Sequence, residues 1–98
     1  MNKAPEELNR ILHQPIRTRI MAHLITHESC DYNGLKKTFQ LSDGHMTTHM
    51  RELLAHNYVS TNKETIDNKS KTTYYLTQTG RDAFADYVAA LKRIILLE

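Results

Sequence analysis

Only one cysteine, Cys30, occurs in the sequence, so no intrachain disulfide can form and the chain suits a reducing compartment. Long apolar runs are missing too. The longest uninterrupted aliphatic stretch, Ile94 to Leu97, falls far short of the roughly 20 apolar residues a membrane helix needs. The opening residues, Met1 to Glu7, carry no apolar segment of the kind that directs export, and the sequence predicts a cytoplasmic protein. Charge of one sign is scarce in excess: 13 Lys plus Arg against 11 Asp plus Glu leave +2. Net charge alone therefore does not point to nucleic acid, and the placement of charges has to decide. There is no glycine-rich phosphate loop, no nucleophile elbow and no His-Glu-x-x-His pair, and the sequence predicts no enzyme and no cofactor.

What is present fits an ordinary globular domain. With 98 residues, 40% hydrophobic and 24% charged, the chain can build a single modest core and not two. Pro5 followed by Glu6 and Glu7, with Leu8, Ile11 and Leu12 at helical spacing, predicts an N-terminal helix within 1–14. Pro15 interrupts it by disfavouring helical geometry at Gln14. Ile16, Ile20, Met21, Leu24 and Ile25 predict a second helix from Pro15 to about His27, with Arg17, Thr18, Arg19 and His23 on its exposed face. Asp31 is the expected cap of a third helix ending near Phe39, and Ser42 of a fourth. In the fourth, Met46, Met50, Leu53 and Leu54 mark the buried side. Gly44, His45, Thr47, Thr48, His49 and Arg51 mark the other.

The period changes after Asn57. Tyr58 to Ile66 is rich in β-branched residues and Lys71 to Thr77 alternates, with the turn-forming Asp67-Asn68-Lys69-Ser70 between them, so 58–77 is expected to form a β-hairpin. Thr77 is the expected cap of a last helix over 78–98, lined on one side by Phe84, Tyr87, Val88, Leu91 and Ile95. The predicted class is mainly α with a β-hairpin, an α+β chain. Two short helices with a tight connection, at about 31–57, match the helix-turn-helix arrangement, and a hairpin directly after them is a wing. A helix about 10–12 Å across fits the major groove, and small or hydrogen-bonding residues at its start reach base edges. Lys63, Lys69 and Lys71 place positive charge around the hairpin tip, partly offset by Glu64 and Asp67.

Three segments resemble known regulators. Leu12 to Ile20 (LHQPIRTRI) resembles the opening of the first helix in ArsR-like winged-helix regulators. Leu41 to Val59 (LSDGHMTTHMRELLAHNYV) is similar to their recognition helix running into the wing. Lys71 to Gly80 (KTTYYLTQTG) resembles the second wing strand and the turn into the last helix of MarR-like and PadR-like proteins. The resemblance implies a small stand-alone winged helix-turn-helix regulator: a homodimer that binds double-stranded DNA at a palindromic operator and represses transcription. By the same resemblance His45, Thr47, Thr48 and His49 face the groove, Arg51 lies near the backbone, and Lys69, Lys71 and Thr73 hold wing positions that touch phosphate or the minor groove. Thr48 and Glu52 depart from the family pattern, which often has basic residues there.

A dimer has a physical rationale of its own. Leu8, Ile11 and Leu12 at one end and Leu91, Ile94 and Ile95 at the other exceed what a compact winged-helix core buries, and a two-fold interface would cover them. Groove-facing His45 and His49 would gain charge on acidification and strengthen DNA binding. Two helical histidine pairs, His23/His27 with Cys30 nearby and His45/His49, invite a metal reading. No third and fourth ligand of suitable spacing accompanies either pair, so no metal is assigned. The competing function is a winged helix that binds a protein partner, which the low net charge favours.

Overall fold

The computed structural model describes residues 7–96. Four helices and three strands follow in the order α1 (Pro15–His27), β1 (Ser29–Asp31), α2 (Tyr32–Thr38), α3 (Asp43–Ala55), β2 (Val59–Ile66), β3 (Lys69–Leu76) and α4 (Gln78–Ile95). The strands form one antiparallel sheet in the order β1-β3-β2, so the chain has the winged-helix α+β architecture.

Over residues 7–14 the expected N-terminal helix is replaced by a single turn. Pro5 and Glu6 lie outside the described residues. Residues 10–12 turn around Asn9, whose Oδ1 accepts from the Ile11 and Leu12 amides at 2.9 and 3.1 Å, while the His13 amide donates to the Asn9 carbonyl at 2.7 Å. An asparagine that bonds its own following backbone competes with helix formation. Pro15 then holds Gln14 extended at φ −148°, and a helix cannot run through it. Gln14 instead caps α1 by accepting from the Arg17 amide at 2.8 Å. Because the turn folds back onto the body, Leu12 is completely buried in the monomer's own core, and its expected place in a dimer interface does not hold.

Side-chain caps set the starts of the other helices. Asp31 accepts from the Gly34 amide, Ser42 from His45 and Thr77 from Gly80. Glu28, at φ 67°, turns the chain out of α1 into β1, which pairs Cys30 with Tyr74. The wing turns on Asp67 and Asn68, both at positive φ (51° and 63°), the geometry of a two-residue hairpin whose twist matches its strands. Beyond Val59 every residue of β2 is exposed, so the hairpin projects away from the body. The core gathers Ile20, Met21, Leu24, Leu35, Met46, Leu53 and Val59, closed by Phe84 and Tyr87 of α4. Ile25 and Leu54, expected on buried stripes, are 37% and 39% exposed, since each lies at the margin of its stripe.

Candidate nucleic-acid interface

A clamp fixes the start of α3 against α2. The Asp43 carboxylate accepts from Lys36 Nζ at 2.8 Å and from the Tyr32 hydroxyl at 2.7 Å. The hydrogen bond from Lys36, then that from Tyr32, holds the Asp43 carboxyl below its ordinary range. The same bond to Asp43 pushes the Tyr32 phenol up to about 12. Asp43 also places a negative charge in the first turn, where the helix dipole favours it. The sequence reading assigns no role to Tyr32 or Asp43, although an acid just past a helix cap is a recognisable signal.

From this fixed start α3 presents Gly44, His45, Thr47, Thr48 and Arg51 outward, all exposed. The Thr47 hydroxyl donates to the Asp43 carbonyl at 2.9 Å and the Thr48 hydroxyl to that of Gly44 at 3.0 Å. With their protons used inside the helix, both side chains offer a methyl group and an accepting lone pair to whatever approaches. A β-carbon at Gly44 would have only the Ser42 hydroxyl near it, at 3.9 Å, so nothing in the fold requires glycine there.

His49 is not on this outward face. It is 9% exposed, and its ring Nδ1 lies 3.2 Å from Arg17 Nη1 of α1. The reason is helical spacing: 46, 49, 50 and 53 form one stripe, and His49 falls inside it between Met46 and Leu53. Burial first, then the charge of Arg17 and the neighbouring His45, keeps the His49 imidazole below its ordinary pKa. The Arg17 Nε donates to the Ile11 carbonyl at 2.6 Å, so this arginine joins the N-terminal turn to α3 rather than standing free on the face of α1.

The wing separates its lysines. Register places Lys71 opposite Glu64 and Lys69 opposite Ile66 on one face, while Lys63 opposes Thr72 on the other. All three are exposed, but they do not form one patch. Thr73 sits at the base of the wing in the central strand, between Asp31 of β1 and Asn62 of β2, and is half-buried rather than at the tip.

At the far end, Leu8, Ile11 and Leu91 are half-buried against the core, whereas Ile94, Ile95 and Leu96 are 38%, 68% and 62% exposed. An open groove of about 740 Å³ runs between the N-terminal segment and α4, with Leu8, Ile11, Tyr58, Ala83 and Ala90 in its walls. His23 and His27 stack with ring centroids 4.0 Å apart, and among the described residues no group of three or more His, Cys, Asp or Glu converges on a point. The half-buried Cys30 thiol is pushed up, by burial first and then by Asp31, which disfavours the reactive thiolate. Among the described residues no helix is long and apolar enough to cross a membrane.

Comparison with known proteins matches this geometry. A family model described as a winged helix DNA-binding domain covers residues 16–95. An uncharacterized protein of Methanocaldococcus jannaschii is 34% identical over 79 residues, which span 81% of this chain and 86% of the relative. The solved structure of a transcriptional regulator homologue from Pyrococcus horikoshii superposes with a TM-score of 0.81 at 26% identity, covering 89% of this chain and 86% of the other. That of an ArsR family transcriptional regulator gives 0.63 at 16% identity, covering 91% and 87%, a likeness of fold.

Proposed function

This chain belongs to the winged helix DNA-binding domain family, and from that premise we propose that it is a sequence-specific transcriptional regulator, a cytoplasmic repressor acting on double-stranded DNA. The observation that carries the reading is the outward face of α3. Gly44, His45, Thr47, Thr48 and Arg51 are short, polar or basic, and the Asp43 clamp presents them at a fixed angle. Exposed aliphatic groups in the first turns of α3 would instead have favoured a protein partner. Set into the major groove, the two threonines read bases through methyl contacts and accepted hydrogen bonds, and Arg51 reaches base or phosphate. Lys69 and Lys71 share one face of the projecting wing and supply contacts to phosphate.

The reading includes a homodimer. Ile94, Ile95 and Leu96 are apolar and exposed together at the end of α4, beside a groove that a second copy's helix would fill. Two recognition helices related by a two-fold axis then meet half-sites about one DNA turn apart, which makes the operator palindromic. The test is selection of bound sequences from a random duplex pool at two salt concentrations. An enriched inverted repeat supports the reading. Weak, salt-sensitive binding with no enriched motif rejects it in favour of a winged helix that docks on protein.

A further inference from the structure

The seam between α1 and α3 contains a charge that no described residue counters. Arg17 is half-buried, and both acceptors of its guanidinium are neutral: the Ile11 carbonyl at 2.6 Å and the His49 ring at 3.2 Å. Among the described residues no carboxylate pairs with it. Holding a partly desolvated cation in place with neutral groups alone is costly unless an anion arrives from outside.

The contact also fixes the chemistry of His49. A guanidinium only donates, so the His49 Nδ1 that faces it must be bare, and the ring proton is on Nε2. Among the described residues that Nε2–H has no protein acceptor and no side-chain nitrogen or oxygen is buried without a partner, so it opens to solvent. The remaining Arg17 Nη2 donors open to solvent on the same grounds. Two donors, one charged and one neutral, are therefore open to solvent at the seam beside α3, with His45 one turn earlier on that helix.

We propose that Arg17 and His49 form a phosphate-binding site at the α1–α3 seam, and that its ligand is a phosphodiester of the DNA backbone flanking the groove that α3 enters. The proposal rests on the DNA-binding reading. In it, Arg17 supplies the charge and positions His49, and His49 adds a neutral N–H donor. The ring is too deeply set to reach bases, so the site anchors the helix without reading sequence.

The test measures binding of the full chain to several unrelated duplexes across a salt series by fluorescence anisotropy. Arg17→Met is expected to weaken every duplex about tenfold at low salt, the loss of a hydrogen bond to a charged group. It should also reduce the salt slope by about one per bound protomer. His49→Leu is expected to weaken binding about three- to tenfold with an unchanged slope, because it removes a neutral donor. A purely structural role for Arg17 would lower the melting temperature without moving the slope. Nitrogen-15 spectra of the histidine rings should show the Nε2–H form for His49, and the Nδ1–H form would overturn the proposal. If Arg17→Met does not fold, His49→Leu decides, and wild-type affinity in that variant overturns the site. Wild-type chain that binds duplex while both variants match it removes the site alone. Wild-type chain that binds no duplex at low salt removes the DNA-binding reading and the site with it.

Discussion

Gly80, in the first turn of α4, packs directly on the Tyr58 carbonyl, and a β-carbon at this position would overlap that oxygen. The contact is one of several at a single junction. The Thr77 amide donates to the Tyr58 carbonyl at 3.1 Å, and the Thr77 hydroxyl reaches the Asn57 carbonyl at 2.6 Å. Together they join the exit of α3 and the root of the wing to the start of α4. Gly80→Ala must push two backbone segments apart, and it is expected to destabilise the fold by about 1–3 kcal/mol, the usual cost of overpacking. Urea denaturation of the two proteins measures it, and an unchanged midpoint would contradict the packing.

Gly44 is the opposite case. Its helical position leaves room for a β-carbon, and glycine inside a helix costs about 0.8–1.0 kcal/mol relative to alanine. Gly44→Ala is therefore expected to stabilise the free protein by up to about 1 kcal/mol. If DNA approaches the start of α3 closely, the same methyl group obstructs it and duplex binding weakens. Higher melting temperature with lower affinity is the expected pair of results. Higher melting temperature with unchanged affinity would place the groove contact further along α3.

Thr48 and Lys71 separate base reading from phosphate attraction. Thr48→Ala removes a methyl and an acceptor from the outward face and is expected to relax preference at one position of the operator. Lys71→Ala removes an exposed wing charge and should weaken all duplexes similarly while flattening the salt dependence by about one. The reverse pattern, with preference changed by Lys71→Ala and untouched by Thr48→Ala, would mean that the wing enters the groove.

Much of this arrangement was legible because its signals are local. Asp31, Ser42 and Thr77 each precede a helix with a side chain that can cap it, and Asn57 takes the positive φ of 60° that a helix end favours. The missed features depend on partners distant in sequence. Strand β1 spans only Ser29–Asp31, too short to show alternation, and exists because β3 offers Thr73, Tyr74 and Tyr75 to pair with it. Arg17 reads as a solvated helix residue until the turn at Asn9 brings the Ile11 carbonyl to it. His49 reads as an outward residue on polarity, whereas its spacing from Met46 and Leu53 places it inside.

The burial of His49 makes the stability of the fold depend on pH. Burial, then Arg17 and His45, lowers the His49 pKa below its ordinary 6.5. His23 is lowered by burial and then by His27. In the folded state both histidines bind protons less readily than in the unfolded chain, so stability rises with pH through this range. It is full above about 6.5, the unfolded value. It declines as pH falls from there through the folded values, where the loss is complete. Denaturation midpoints between pH 8 and 5 should fall on acidification, and His49→Gln should flatten part of that fall. A wild-type midpoint that rises toward pH 5 would show the shifts to have the opposite sign.

The end of α4 carries the last prediction. Ile95 is 68% exposed and Leu96 62%, next to half-buried Leu91, which is a poor arrangement for an isolated chain in water. Burying Ile95 against a second copy would contribute roughly 1.5–3 kcal/mol per side chain, twice over in a symmetric pair. Ile95→Glu would instead oppose two carboxylates at or near the axis. Sedimentation at micromolar concentration is expected to show a dimer for the natural chain and a folded monomer for the variant, since Ile95 takes no part in the core. Binding to a palindromic duplex should then lose its dependence on half-site spacing while a single half-site is still bound. If the natural chain sediments as a monomer, each recognition helix acts alone and the operator need not be palindromic.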